Sequence, residues 1–579
     1  MFKPKAQTNL NVESVIVPSR NGLNFGASQQ IHFDIPRNIG FANLKNARIV
    51  TSILVDTVPN STAPPLIPDR IAGAHCFIER VNIRSNGVLL EQLDNYNVYA
   101  KLYNSASWDS GIENKRTRIE GCMKSNRIQD SPYHVTAQAV TTNTASTSVI
   151  RSVPRQVEIP LLGGIFQYDS IWPIGSIPLE VEIILARAEE VLSLPDSAGG
   201  TDTTERAPLA IRANPSTTTF TQGIRCVTTA GGPDTFVDLT TAQAACYGPN
   251  GGGNQSSLDV NQNPISTCPL KPGMQVRFTA DAANANLTAA AVAGTLTITN
   301  IIVQANGVLR VNLNAAVDAG AAANPILSVL NVNGGNLNSV APTYQWQNPR
   351  LLIPKVVPPP QFASAMMEAI MKNKFSIDVN SYVNYRNAIV GTTTTSTSII
   401  PADLSRVKAI LSVPIDQNNL DRLDRRNALC PNHMYAQNYQ YQINNNLQPS
   451  RLVQVGRESF GVPADWFSGA WEVTKAIPYD YGLGNCLGAV HGYELHKALE
   501  AADIPVHNLK FITQPENQNG CYAIGRILGP YGTSANLMGI SSIIYINYDG
   551  GNNNLKLLNN YVSHIRSFVL GPSGAQVIY

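Results

Sequence analysis

The stretch CFIERVNIRSNGVLLEQL, Cys76 to Leu93, constrains the chain more than any other. Phe77, Glu79, Val81 and Ile83 fall on one parity, and Ile78, Arg80, Asn82 and Arg84 on the other. Successive side chains of a strand point to opposite faces, so this alternation predicts a strand with one face buried. Ser85-Asn86-Gly87 follows, then a second β-prone run. Asn-Gly is the pair that best tolerates the positive φ angles of a type I′ turn, so the stretch reads as a hairpin. The register puts Val81 and Ile83 inside and Arg80, Asn82 and Arg84 on the other face.

The pattern recurs in the other half of the chain. In MYAQNYQYQINNNLQPSRLV, Met434 to Val453, Tyr435, Tyr439, Tyr441 and Ile443 share one parity, and Asn438, Gln440 and Gln442 the other. An asparagine-rich turn, Asn444 to Asn446, leads into another strand-like run. A helix is predicted after each hairpin. Tyr96, Tyr99, Leu102 and Tyr103 recur at helical spacing in the first half, and VHGYELHKALEAAD (490–503) reads as a helix in the second. Two related β-domains in tandem follow, of the sandwich class to which jelly rolls belong.

Further strands are expected at 11–17, within 29–55, at 148–163, across the apolar run 177–192, at 344–357, 375–387, 405–415, 540–548 and 561–571, with 107–146 loop-like. A helix over 361–374 would put Phe362, Met366, Ile370 and Met371 on one face. From about 193 to 342 the chain turns to Gly, Ala, Thr and Asn. Alternation persists at 274–280, 294–304 and 308–314, with a turn at 304–307, so this segment is a folded β insertion. If the halves share a topology, strands 179–188 and 344–357 match 540–548 and 561–571. The insertion then enters between two strands of the first sandwich and should fold as a small β-domain. Loop-closure entropy grows slowly with length and tolerates that.

At 579 residues the chain exceeds one ordinary core. Charged residues are 14%, well below the roughly 25% of typical soluble domains, which suits a surface packed against copies of itself. Net charge is +2 without a basic run, which disfavours wrapping by nucleic acid. The N-terminal MFKPKAQTNL has no apolar core of a signal peptide, and no apolar stretch reaches spanning length, so a cytosolic or nuclear site of synthesis is expected. Residues 1–10 show no core-forming periodicity and should leave the β-core. Cys76, Cys122, Cys226, Cys246, Cys268, Cys430, Cys486 and Cys521 form no CxxC pair and are read as buried thiols, a disulfide among Cys226, Cys246 and Cys268 being the alternative.

The chemistry-bearing candidates are weak. His491 and His496 in HGYELH stand at i, i+5, roughly 140° apart around a helix, whereas a zinc pair needs i, i+4. Glu189 and Glu190 are adjacent on what reads as a strand and would face opposite ways. GGPDTFV (231–237) and PNGGGNQ (249–255) lack a phosphate-binding pattern and read as turns. The aromatics of MYAQNYQYQI lack interleaved basic residues, so sheet packing outweighs base stacking. The sequons at Asn60, Asn254 and Asn286 are chance products of an asparagine-rich chain. No catalytic, cofactor-binding or metal residue is assigned, and no cofactor is expected. A carbohydrate-binding β-sandwich and a β-rich hydrolase are the competing readings. Against a lectin, Trp108, Trp172, Trp346, Trp466 and Trp471 are scattered and no Asp-rich calcium loop is present; against a hydrolase, no nucleophile elbow appears.

CFIERVNIRSNGVLLEQLDNYNVY resembles the D–E hairpin of the first jelly roll in double jelly-roll major capsid proteins. VEIPLLGGIFQYDSIWPIGSIPLEVEIIL (157–185) is similar to that family's G and H strands, and NPRLLIPKV (348–356) to the strand that closes the first roll. YQYQINNNLQPSRLV is similar to the equivalent second-roll hairpin of virophage and polinton-like virus capsid proteins. The resemblance touches both halves and skips the insertion. It implies an all-β double jelly roll: 1–192 the first roll (strands B to H), 193–342 the insertion as an outer tower, 343–360 the closing strand and linker, and 361–579 the second roll. It implies a non-enzymatic major capsid protein of a double-stranded DNA virus, forming pseudo-hexagonal homotrimers that tile an icosahedral shell, with a minor capsid or spike protein as the alternative. The implied partners are neighbouring capsomers, penton and minor capsid proteins, with no sequence-specific nucleic acid and no transmembrane segment. The implied location is the virion, assembled inside the host cell.

Overall fold

The computed structural model describes residues 11–55, 66–124, 131–137, 149–193, 210–211, 224–228, 233–239, 270, 273–280, 286–303, 309–319, 325–330, 342–389, 395–416, 429, 436–455, 489–509, 521–529, 533–548, 556–571 and 574–578. Turn 304–307, residues 1–10 and Cys246, Cys268, Cys430 and Cys486 lie outside them.

The first half is built from β1 (Asn11–Pro18), β2 (Asn24–Gly26), β3 (Gln30–Asp34), β4 (Arg48–Val55), β5 (Ile78–Ser85), β6 (Val88–Asp94), β7 (Arg155–Pro160), β8 (Glu180–Leu185) and β9 (Tyr344–Val357). One sheet runs β3-β8-β5-β6; the other runs β7-β4-β9, with β1 and β2 both paired to β9. Lettered B to I along the chain, these are the orders C-H-E-F and G-D-I-B. The second half has β10 (Phe375–Ile389), β11 (Thr395–Ile400), β12 (Val407–Asp416), β13 (Ala436–Ile443), β14 (Asn446–Gln454), β15 (Ile524–Ile527), β16 (Ser542–Tyr548) and β17 (Lys556–Gly571). Its sheets run β11-β16-β13-β14 and β10-β17-β12-β15, again C-H-E-F and B-I-D-G. A terminal strand, β18 (Gly574–Ile578), adds to β17. The quoted hairpin is therefore E–F in both halves, not D–E: strand D lies in the opposite sheet, so D and E cannot form a hairpin.

The two turns are alike. Asn86 and Gly87 have φ of 49° and 79°, and Asn444 and Asn445 have 50° and 61°. Ser85 pairs with Val88, and Ile443 with Asn446. Positive φ at both central residues is the I′ requirement that Asn and Gly meet at least cost. Val81, Ile83, Tyr439, Tyr441 and Ile443 are buried. Asn82 and Gln440 are buried too, but on the opposite face: Asn82 donates to Glu182 at 2.9 Å and Gln440 to the Pro449 carbonyl at 2.7 Å. Register shifts interrupt both hairpins, and the one between β8 and β5 resets the parity of the first. Ile184 pairs with Arg80 but Leu185 with Ile78, so Glu79 is an extra residue and Ile78 turns inward alongside Val81. Such a bulge resets the alternation.

Other boundaries differ from the sequence reading. The run 177–192 stops at Leu185 and becomes a single helical turn, Ala188–Val191. Segment 107–146 contains a helix, Ser110–Ile119, started by Asp109, whose carboxylate accepts from the Ile112 N–H at 2.7 Å. It was illegible by periodicity because almost every residue is polar; its signature is the Asp N-cap with Glu113 early and Arg116 and Arg118 late. The helices after the hairpins are α1 (Tyr96–Ala106) and α2 (Ala489–Ala501), and α3 denotes the linking helix Pro360–Met371. On α3, Met366 and Ile370 are buried but Met371 is exposed, because it sits one residue, about 100°, off that stripe.

Between β8 and β9, six strands close on themselves. Pro325–Leu330, Ile224–Val227, Phe236–Leu239, Leu309–Leu313, Leu296–Val303 and Gln275–Ala280 pair in that order, and the last pairs back to the first. Closure removes exposed edges and encloses Val237, Phe278, Ile298, Ile301, Val311 and Leu327. β9 then returns to pair with β1 and β4, not with any of these six strands.

Candidate functional site at the seam between the halves

The sharpest constellation of polar and aromatic groups lies where the two halves meet. Strand β6 carries Leu90 and Glu91, consecutive residues that are both buried at a β-bulge, where Leu90 is the extra residue opposite Ile83 and Arg84. This edge strand is exposed at Val88 and Leu89 and buried further along, where β10 and β17 lie against it. Glu91 accepts from the Ile165 N–H at 2.8 Å and from the Ser381 hydroxyl. Arg566 donates to the Leu90 carbonyl at 2.8 Å. Burial raises the Glu91 pKa, opposed by the Arg566 charge and by the bonds from Ser381 and Ile165. Gly164 makes the approach possible: its φ is +59°, and a Cβ there would stand 1.8 Å from a Glu91 oxygen. The GG of LLGGIF therefore has a steric reason.

Beside the carboxylate runs an aromatic stack. Tyr99 of α1 stacks on Tyr382 of β10 at 4.0 Å between centroids, and Tyr382 meets Tyr561 of β17 edge-on at 5.4 Å. Tyr561 donates to the Asn95 carbonyl at 3.0 Å. Trp172 meets Phe568 edge-on at 6.0 Å, and the N–H groups of His507 and Asn508 both reach the Ala106 carbonyl, at 2.8 and 3.0 Å. Each such aromatic pair adds about 0.5–1.5 kcal/mol beyond area burial. The arrangement can do one thing well: hold the halves at a fixed angle. Sequence reasoning missed it because its members come from residues 90–106, 163–172, 381–382 and 561–568. The one legible signal was the density of Tyr in YNVY and SYVNY.

The sequence candidates are not brought together. His491 is fully buried against Tyr439 and Tyr522, its pKa pushed down to about 4 by burial. His496 lies near the surface, 3.6 Å from Glu500. Glu189 and Glu190 sit on the helical turn Ala188–Val191, not on a strand, and Glu190 is paired with Arg187. Among the described residues, no group of three or more His, Cys, Asp or Glu could hold a metal ion. No described helix is long and apolar enough to cross a membrane. Cys76, Cys122, Cys226 and Cys521 are buried. Trp108, Trp172 and Trp346 are core residues, Asn286 is exposed, and Trp466, Trp471, Asn60, Asn254 and 249–255 lie outside the described residues.

No protein-family model matches the chain, and no curated protein matches its sequence. Among solved structures it is similar to the Faustovirus major capsid protein (TM-score 0.45, 11% identity, 99% of this chain and 92% of that one). It is similar to a chain of the Sputnik virophage structure (0.42, 9%, 100% and 92%) and to the mavirus major capsid protein (0.31, 8%, 98% and 89%). With C-H-E-F and B-I-D-G sheets repeated in tandem, the chain has the double jelly-roll fold.

Proposed function

We propose that this chain is the major capsid protein of a double-stranded DNA virus of the virophage or polinton-like kind. One observation carries the reading: two jelly rolls of identical strand order are locked side by side by a buried seam. A unit of this shape offers two similar β-columns. Three copies would give six, a pseudo-hexagonal block that tiles an icosahedral shell beside pentons and minor capsid proteins. The role is structural rather than enzymatic, and the place of action is the virion.

The domain division belongs to the same proposal: 1–192 and 343–360 make the first roll, 361–579 the second, and 193–342 an insertion in the first H–I connection. In the second half that connection spans only 549–555. A closed barrel carried on one connection can project as a tower without disturbing the roll. Two experiments test the reading. Light scattering on the purified chain should give a homotrimer, and a monomer at micromolar concentration would defeat it. Replacing 195–340 by a short Gly/Ser bridge should leave a soluble trimer; loss of both rolls would refute the division.

A further inference from the structure

Both ends of the insertion are pinned at one place on the first roll. The chain leaves β8 at Ala186 and returns at Tyr344, and the Tyr344 hydroxyl donates to the Ala186 carbonyl at 2.5 Å. The loop between β2 and β3 lies against the same root: Gly26 pairs with Gln345, and the Ser28 N–H reaches the Ala186 carbonyl at 3.4 Å. Here Asn21, Asn24, Phe25, Ser28, Gln29 and Gln30 line an open depression of about 440 Å³, within the roughly 300–1,000 Å³ of small-molecule sites. The lining carries no charge, and Arg20, which borders the loop in sequence, is engaged by Asp34 at 3.1 Å. Phe25, 4% exposed, is the apolar floor. The five polar residues are exposed, yet two of their side chains are held in place. Asn21 donates to the Gln30 carbonyl at 2.7 Å and accepts from the His32 N–H at 3.0 Å, and Gln29 accepts from the Gly26 N–H at 2.9 Å. The side chains of Asn24, Ser28 and Gln30 make no hydrogen bond among the described residues. Ser28 stands at φ 61°, a left-handed conformation that glycine would adopt more cheaply.

We propose that this depression binds an uncharged saccharide, presented to it as the terminal unit of a glycan. A sugar hydroxyl both donates and accepts, and so does each carboxamide and the serine hydroxyl around it. An anion would find no cation in the lining, and a cation no carboxylate. The Phe25 floor offers an apolar surface to the C–H face of a sugar ring. Such recognition needs neither an exposed tryptophan nor a calcium loop. The biological setting rests on the capsomer reading: a depression at the root of an outward tower faces outward with it, toward the glycans of a host surface. One open site of this kind makes few contacts, so its dissociation constant should be roughly millimolar, and many copies on one particle would raise the avidity.

The test uses the full chain on an array of neutral oligosaccharides of glucose, galactose, mannose and N-acetylglucosamine, with sialylated and sulfated glycans beside them. The wild type should bind at least one neutral glycan, equally well in EDTA. Asn24→Ala with Gln30→Ala should weaken that binding roughly tenfold or more, with melting temperature unchanged, because neither side chain bonds within the described protein. If that pair fails to fold, Ser28→Gly replaces it: it removes the hydroxyl while relaxing the backbone, so binding should weaken at undiminished stability. A wild type that binds no neutral glycan, binds only acidic ones or loses binding in EDTA would overturn the site, as would variants that bind like wild type. Light scattering on the same samples separates the two readings. A homotrimer without glycan binding overturns the site alone, and a monomer that binds overturns the capsomer reading while the site stands.

Discussion

Gly164→Ala tests whether the seam holds the rolls together. At φ +59° an alanine enters the left-handed region, which costs roughly 1–2 kcal/mol. Its Cβ would collide with both Glu91 oxygens and the carboxyl carbon, each 2.0 Å or less away. The carboxylate must then leave the Ile165 N–H and the Ser381 hydroxyl, and hydrogen bonds to a charged group contribute about 1.5–3 kcal/mol. The expected loss is about 3–5 kcal/mol. Gly87→Ala is the control: φ is +79° but nothing lies within 4 Å, so only the backbone strain of about 1–2 kcal/mol remains. At roughly 2–4 °C per kcal/mol for a unit of 150–250 residues, Gly164→Ala should lower the calorimetric transition by about 6–20 °C, and Gly87→Ala by about 2–8 °C. The Gly164 variant should also lose near-ultraviolet circular dichroism from the stacked tyrosines. If the two variants agree to within about 1 kcal/mol, Glu91 is not held as described and the seam argument fails.

Tyr382→Ala should destabilise by about 3–5 kcal/mol, whereas Tyr382→Phe should be neutral or slightly stabilising, since the buried hydroxyl has no hydrogen-bond partner among the described residues; urea unfolding of both decides it. Lys101→Met should cost about 3–5 kcal/mol by stranding Asp69, 2.5 Å away and equally buried; a thermal shift within error of wild type would refute that. His491 and His564 are held near pKa 4, below the unfolded value near 6.5, so the unfolded chain binds protons more readily. Their stabilisation is full above about 6.5 and is lost as pH falls toward 4, about 3 kcal/mol each, and a His491→Phe variant should show a correspondingly flatter acid limb in denaturant titrations. Glu91 works the opposite way: its raised pKa makes its contribution fullest below about 4.3 and diminishing as pH rises through the folded value, so Glu91→Gln should remove a stability loss on that side.

Local patterns determined much of the architecture. Period-two alternation fixes which face of β5 and β13 is buried, and Asn-Gly and Asn-Asn fix the turns, because strand parity and positive φ depend only on neighbours in the chain. The recurrence of hairpin and helix announced two like halves. Where long-range contact intervenes, the sequence is silent. The bulge at Glu79 exists because β8 must satisfy both Ile78 and Arg80. Asn82 is a buried polar residue because a partner distant in the chain, Glu182 across the sheet, completes its hydrogen bond, whereas Gln440 bonds within its own hairpin to the Pro449 carbonyl. Thr395–Ile400, a strand of alternating Thr and Ser, gains its identity only from pairing with β16. The seam is decided wholly by tertiary structure. Glu91 and Ser381 are 290 residues apart, and nothing local distinguishes Glu91 from a solvated edge carboxylate. Burial of Leu90 and Glu91 on β6 is a property of two rolls meeting, decided by packing between segments hundreds of residues apart in the chain.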